Sequence, residues 1–113
     1  MTPRDGTLLG ALFESLATLC VRVYAQHAEA RTAHLRTWSG DREIDLIVER
    51  GRAVVALEVK LGPVPNDRDV RHLLWLQKEL GDDLADAVVV TTGETAYRRP
   101  DGIAVVPAAL LGP

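Results

Sequence analysis

Apolar residues recur along the first part of the chain at intervals of three and four. Leu9, Leu12, Phe13, Leu16, Leu19, Cys20 and Val23 share one face of a helix predicted over about Thr7 to His27, with cap candidates in Asp5-Gly6-Thr7. From His34 the period shortens. His34 to Trp38 reads as a short strand, and Ser39-Gly40-Asp41 as a turn. Glu43 to Glu49 reads as a second strand with Ile44, Leu46 and Val48 on one face, and Ala53 to Leu61 as a third, rich in Val and Ala. Gly62-Pro63 ends it, and Pro65-Asn66-Asp67 opens a loop. A second helix is predicted from about Asp67 to Leu80, with Val70, Leu73, Leu74, Gln77 and Leu80 inward and Gly81 as its stop. The apolar run Ala87 to Thr92 reads as a central strand covered on both faces. Ile103 to Val106 reads as a last strand, and Pro107 to Leu111 as a final helical turn.

The predicted order is therefore α-β-β-β-α-β-β. Tight turns make the first three strands antiparallel neighbours, and the intervening helix makes the third and fourth parallel. The expected class is α/β, a mixed central sheet flanked by helices. Residues 1–113 read as a single domain, without repeats, low-complexity tracts or linkers.

Three charges break the apolar pattern of the central hairpin "EIDLIVERGRAVVALEVKLG". Residues two apart on a strand share a face, so Glu58 and Lys60 point together. If Gly51-Arg52 forms a two-residue turn, Arg50 faces Ala53 and Asp45 falls opposite Glu58 on that same face. A three-residue turn would place Asp45 opposite Leu57, on the other face. Two neighbouring carboxylates repel unless a cation separates them or one takes a proton. All-oxygen ligands suit Mg²⁺ or Mn²⁺, which also take phosphate oxygens, and a nearby Lys can position or deprotonate a metal-bound water. Such a set performs metal-assisted phosphodiester hydrolysis.

Composition narrows the setting. Hydrophobic residues make up 47% of the chain, which argues against disorder, and a formal charge of -3 advertises neither nucleic acid nor a membrane surface. A local basic patch or a bound metal can offset that balance. No stretch approaches a membrane span, and "MTPRDGTLLG" lacks a signal peptide's apolar core, so a cytoplasmic protein is expected. The single cysteine, Cys20, cannot pair within the chain and reads as a reduced, buried thiol. Eleven Arg stand against two Lys, yet position 60 keeps Lys; an ammonium, unlike a guanidinium, can take part in proton transfer.

Asp45 with Glu58-Val59-Lys60, and Glu14 on the preceding helix, resemble the PD-(D/E)XK nuclease superfamily, whose core has the order α-β-β-β-α-β. More narrowly, "GALFESLATLCVR", "RTWSGDREIDLIVE", "VVALEVKLG", "VVVTTGE" and "IAVVPAALL", in order over residues 7 to 111, resemble the C-terminal domain of unknown function of prokaryotic AAA ATPases. The chain starts where that domain would start and carries no P-loop G-x-x-x-x-G-K-[ST], as expected of a fragment or a stand-alone copy. Ile44 stands where the superfamily's proline would be. The resemblance implies a restriction-endonuclease-like fold. It assigns Asp45, Glu58 and the Val59 carbonyl to a divalent metal, Mg²⁺ or Mn²⁺, and Glu14 to a second metal or its water. Lys60 would orient the attacking water or stabilise charge on the phosphorane, and Gln77 would contact the active site or the scissile strand. DNA is the expected substrate, with a second copy or an ATPase domain as partner and no membrane.

Each residue has a plainer reading. Glu58 and Lys60 can be a structural ion pair, and Glu14 can be a solvated residue on the face of Ala17, Thr18 and Val21. His27, His34 and His72 lack metal-ligand spacing and read as surface or interface residues. Trp38 and Trp75 read as packing residues. Arg98-Arg99 reads as a solvated loop pair or a phosphate contact, and Arg31, Arg36, Arg42 and Arg71 as a basic rim. Two functions follow: a metal-dependent nuclease, or a nuclease-fold module that binds or regulates without cutting. A remnant that folds without activity is the third reading.

Overall fold

The structure, a computed structural model, describes Gln26 and residues 30–37 and 39–111. The predicted first helix, apart from Gln26, therefore lies outside the described residues, and with it Glu14, Cys20 and His27; Trp38 lies outside them too. Among the described residues, six strands form one mixed sheet in the order β1-β2-β3-β4-β6-β5. They are β1 (Arg31–Arg36), β2 (Glu43–Arg50), β3 (Ala53–Lys60), β4 (Asp86–Thr91), β5 (Tyr97–Arg98) and β6 (Ala104–Pro107). The helix α1 (Arg71–Leu80) crosses from β3 to β4, and 3-10 turns follow at Gly81–Asp83 and Ala108–Leu111.

The expected pairings hold. β1, β2 and β3 are antiparallel, and β3, β4 and β6 run parallel. Gly51 takes the left-handed backbone at φ 59°, and Arg50 faces Ala53, as a two-residue turn requires. β4 lies between β3 and β6 as a central strand, and Val89 and Val90, on its two faces, are fully buried. Its continuous apolar run has that origin.

Two apolar clusters occupy the two faces. Ile44, Ile47, Ala56, Val89 and Val105 pack with Val70, Leu73 and Leu76 on the α1 side. Leu46, Leu57, Val59 and Val90 form the other, with Ala108 packed against them. Ile44 and Leu46 thus lie on opposite faces, not on the shared face that alternation predicts. The reason is a bulge: from Ala33 to Leu35, β1 advances two residues while β2 goes from Ile47 to Ile44, one residue more. The extra residue flips every side chain beyond it.

Most strand ends fall within a residue of expectation, and the larger differences lie at α1, β1 and β5. α1 begins at Arg71, and residues 67–70 form a turn ahead of it. β1 starts at Arg31 and ends at Arg36, earlier than the reading from His34. The two-residue β5 is too short for periodicity to reveal. Trp75 packs at the core and carries the Arg42 guanidinium 5.5 Å from its ring centre.

Candidate functional site

The bulge sits at the carboxylates. The β2–β3 ladder runs from Arg50 opposite Ala53 to Leu46 opposite Leu57 and stops there, one pair short of Asp45 and Glu58. Beyond that point a side chain continues the pairing: Asp45 Oδ2 accepts the Val59 N–H at 2.8 Å. A bulge re-aims side chains and ends a ladder, and here it turns Asp45 toward the neighbouring strand. His34, opposite the bulge on β1, lies with Nδ1 3.4 Å from the Asp45 carbonyl oxygen and Nε2 3.5 Å from Glu43.

Glu58 is only 1% exposed and lies beside Val89 of β4, on the face that α1 covers. An ionised carboxylate at that depth is costly unless it is neutralised or hydrogen-bonded, so a strand needing only stability would place an apolar residue there. Lys60, two residues on, shares the face and pairs with Thr91 at the end of the β3–β4 ladder. Its Nζ lies 3.5 Å from Asp69 Oδ1, and both side chains are largely buried.

Asp69 escaped the sequence reading, and it had a signal. Asn66-Asp67-Arg68-Asp69 has the spacing of a capping box. Asp69 Oδ2 accepts the Asn66 N–H at 2.9 Å, and Asn66 Oδ1 accepts the Asp69 N–H at 3.0 Å. This reciprocal lock shapes the turn ahead of α1 and sets Asp69 over Lys60. The connection is also pinned at β4. Gly62 N–H donates to Thr92 Oγ1, Thr92 N–H donates to the Gly62 carbonyl, and a Cβ on Gly93 would lie 2.6 Å from the Pro63 carbonyl oxygen. Only glycine allows that approach.

Together these elements enclose a cleft of about 530 Å³. Glu58, Lys60 and Asp69 line it, with Glu43, Asn66 and His72, and Arg68 and Arg71 on exposed positions. The structure thus brings Glu58 and Lys60 into one cleft and Asp45 to the backbone between them. His72, read as a surface or interface residue, lines the same cleft. Gln77 is not brought there; its Nε2 lies near Gly102, in the turn before β6. Glu14 lies outside the described residues.

The arginine pair expected in a loop is structural instead. Arg98 forms a two-pronged bond to Asp86 at 2.9 and 3.0 Å and also reaches the Gly102 carbonyl. Those hydrogen bonds hold the Asp86 carboxyl below its ordinary value. Arg99, with a side chain 12% exposed, binds Asp67 and Asp101 and donates to the Pro65 carbonyl at 2.9 Å. Burial pulls its guanidinium pKa down, and the bonds to the two carboxylates more than offset this. Arg99 thereby ties the β5–β6 turn to the segment that precedes α1.

Residues 9–111 match the model of a domain family of unknown function, DUF4143. The chain belongs to that family. The family's domain is found at the C-terminus of AAA ATPases. Among solved structures, the MspJI restriction endonuclease in complex with a 27-mer oligonucleotide is similar, with a TM-score of 0.48 and 20% sequence identity. The similarity covers 88% of this chain and 26% of that one, so the chain spans about a quarter of the endonuclease. No curated protein matches the chain. Among the described residues, no helix of this DUF4143 member is long and apolar enough to cross a membrane.

Proposed function

We propose that the chain is a divalent-metal-dependent nuclease domain that hydrolyses DNA phosphodiester bonds at this cleft. The observation that carries the reading is the Asp45 bulge beside buried Glu58. It moves one carboxylate onto the Val59 N–H, next in the chain to the second. The N–H and C=O of a strand residue point to the same side, so the Val59 carbonyl also faces the place where the ladder has ended.

The donor chemistry fits Mg²⁺ or Mn²⁺. Among the described residues, no group of three or more His, Cys, Asp or Glu side chains converges on one point. Mg²⁺ needs no such closed cage, since one or two carboxylates with waters and substrate phosphates suffice. Asp45, Glu58 and the Val59 carbonyl would hold it, and Glu14 remains the candidate for a second ion or its water. A bound ion would supply Lewis-acid polarisation and a more acidic water. Lys60, steadied by Asp69, would orient that water or offset charge on the phosphoryl oxygens. The water oxygen bonds to phosphorus, the ester P–O bond breaks, and the leaving oxygen takes up a proton. So small a domain covers little duplex, so a second copy or an ATPase domain would complete the substrate site.

The test is cleavage of labelled DNA in Mg²⁺ or Mn²⁺. Wild type should cut, and Glu58→Gln and Lys60→Ala should not, with far-UV circular dichroism unchanged. Equal residual cleavage by both variants would indicate a contaminant and overturn the reading.

A second reading has its own support. The Lys60–Asp69 contact engages the amine, and the family's place at the C-terminus of AAA ATPases suits a docking or regulatory module. Calorimetry with Mn²⁺ on wild type and Asp45→Asn separates the two. An absence of binding at millimolar metal favours the module.

A further inference from the structure

The described arginines differ in what they contact. Arg31, Arg98 and Arg99 each have a carboxylate partner, and Arg42 stacks on Trp75. Arg68 and Arg71 have no carboxylate partner among the described residues, and both border the cleft that holds Glu58 and Lys60. They are exposed, whereas Glu58 is buried and the side chains of Lys60 and Asp69 are 25% and 14% exposed. The cleft therefore has two tiers, a floor that carries the carboxylates and a mouth that carries two guanidinium groups.

The mouth is also rigidly mounted. Arg68 lies inside the turn locked by Asn66 and Asp69, and Arg71 Nη1 folds back onto the Arg68 carbonyl at 3.3 Å. Arg99 fastens that turn through the Pro65 carbonyl and Asp67. A guanidinium loses less freedom on binding when its backbone is fixed, and its planar fork matches phosphate oxygens.

We infer that Arg68 and Arg71 form a phosphate clamp that holds a nucleic-acid strand across the cleft mouth, on either side of the phosphate presented to Glu58 and Lys60. The clamp rests on the nuclease reading for which phosphate sits at the floor. Its own content is the pair of backbone contacts. Arg68 and Arg71 are positioning residues that carry affinity without sequence preference.

The experiment measures binding of a short fluorescein-labelled DNA duplex by anisotropy across a salt series, in chelator so that nothing is cut. Each phosphate contact contributes roughly 0.9 to the slope of log K against log salt, so the Arg68→Ala/Arg71→Ala double variant should lose about 2 from that slope. Arg50→Ala/Arg52→Ala, at the exposed β2–β3 turn, removes the same charge elsewhere and should leave the slope in place. An unchanged slope in the Arg68/Arg71 variant, an equal fall in both variants, or no binding by wild type overturns the clamp. Cleavage in Mg²⁺ or Mn²⁺ is read in parallel. A slope loss with a wild type that never cuts keeps the clamp and defeats the nuclease reading. An unchanged slope with an active wild type does the reverse.

Discussion

The β2–β3 hairpin has two halves built on different rules. From Arg50 and Ala53 to Leu46 and Leu57 it is a regular ladder whose alternation feeds two apolar clusters. Beyond Leu46 the ladder ends, an extra residue shifts the register with β1, and Asp45 uses its side chain where a backbone carbonyl would serve. The regular half stabilises the sheet. The irregular half gives up pairing and places charge.

The sharpest way to separate the halves is to compare activity with stability. Glu58→Gln should lower Mg²⁺-dependent cleavage by about 10²-fold or more while keeping a cooperative melt, since it changes little volume. Leu57→Ala, one residue away on the opposite face, should cost about 2–5 kcal/mol in urea unfolding and leave cleavage by the folded fraction intact. If both variants lose stability alike and neither loses activity selectively, the two halves do not differ in purpose.

Asp45 can be divided in the same way. Asp45→Ala removes the acceptor of the Val59 N–H and should cost about 1–3 kcal/mol, whereas Asp45→Asn keeps an acceptor oxygen and should cost less. Both should lose cleavage, because both lack the charge. An active Asp45→Asn variant would make the bulge structural.

The smallest effect lies outside the hairpin. Arg98 lowers the pKa of Asp86, so this pair stabilises the fold above the ordinary carboxyl value of 3.8, and the contribution disappears as pH falls through the lowered value. Asp86→Asn should reduce stability at neutral pH and flatten the acid limb of a melting-temperature profile measured below about pH 4. An unchanged acid limb would show the pair to be inert.

The legibility of these regions follows the same division. Alternating apolar residues and the Gly51 turn made the regular ladder readable, and an apolar run with a crossover helix made β4 central. The bulge left no trace, because Ile44, Leu46 and Val48 alternate perfectly in the sequence; the break is set by how β1 pairs with β2, which is a long-range fact. Asp69 was readable from the Asn66-x-x-Asp69 spacing, although its reach to Lys60 was not. Arg98 and Arg99 read as solvated because their partners, Asp86 and Asp67, lie 12 and 32 residues away. Gln77 faced inward at helical spacing, but its neighbour is Gly102 and not the cleft.

The central claim is that Asp45 and Glu58 jointly hold a divalent ion. Diffraction from crystals of the full chain soaked in Mn²⁺, recorded for the anomalous signal of manganese, tests it most directly. The account predicts one strong peak within ligand distance of both carboxylates and of the Val59 carbonyl, absent from Glu58→Gln crystals. Carboxyl groups held apart with no peak between them, or a peak that survives Glu58→Gln unchanged, would contradict it.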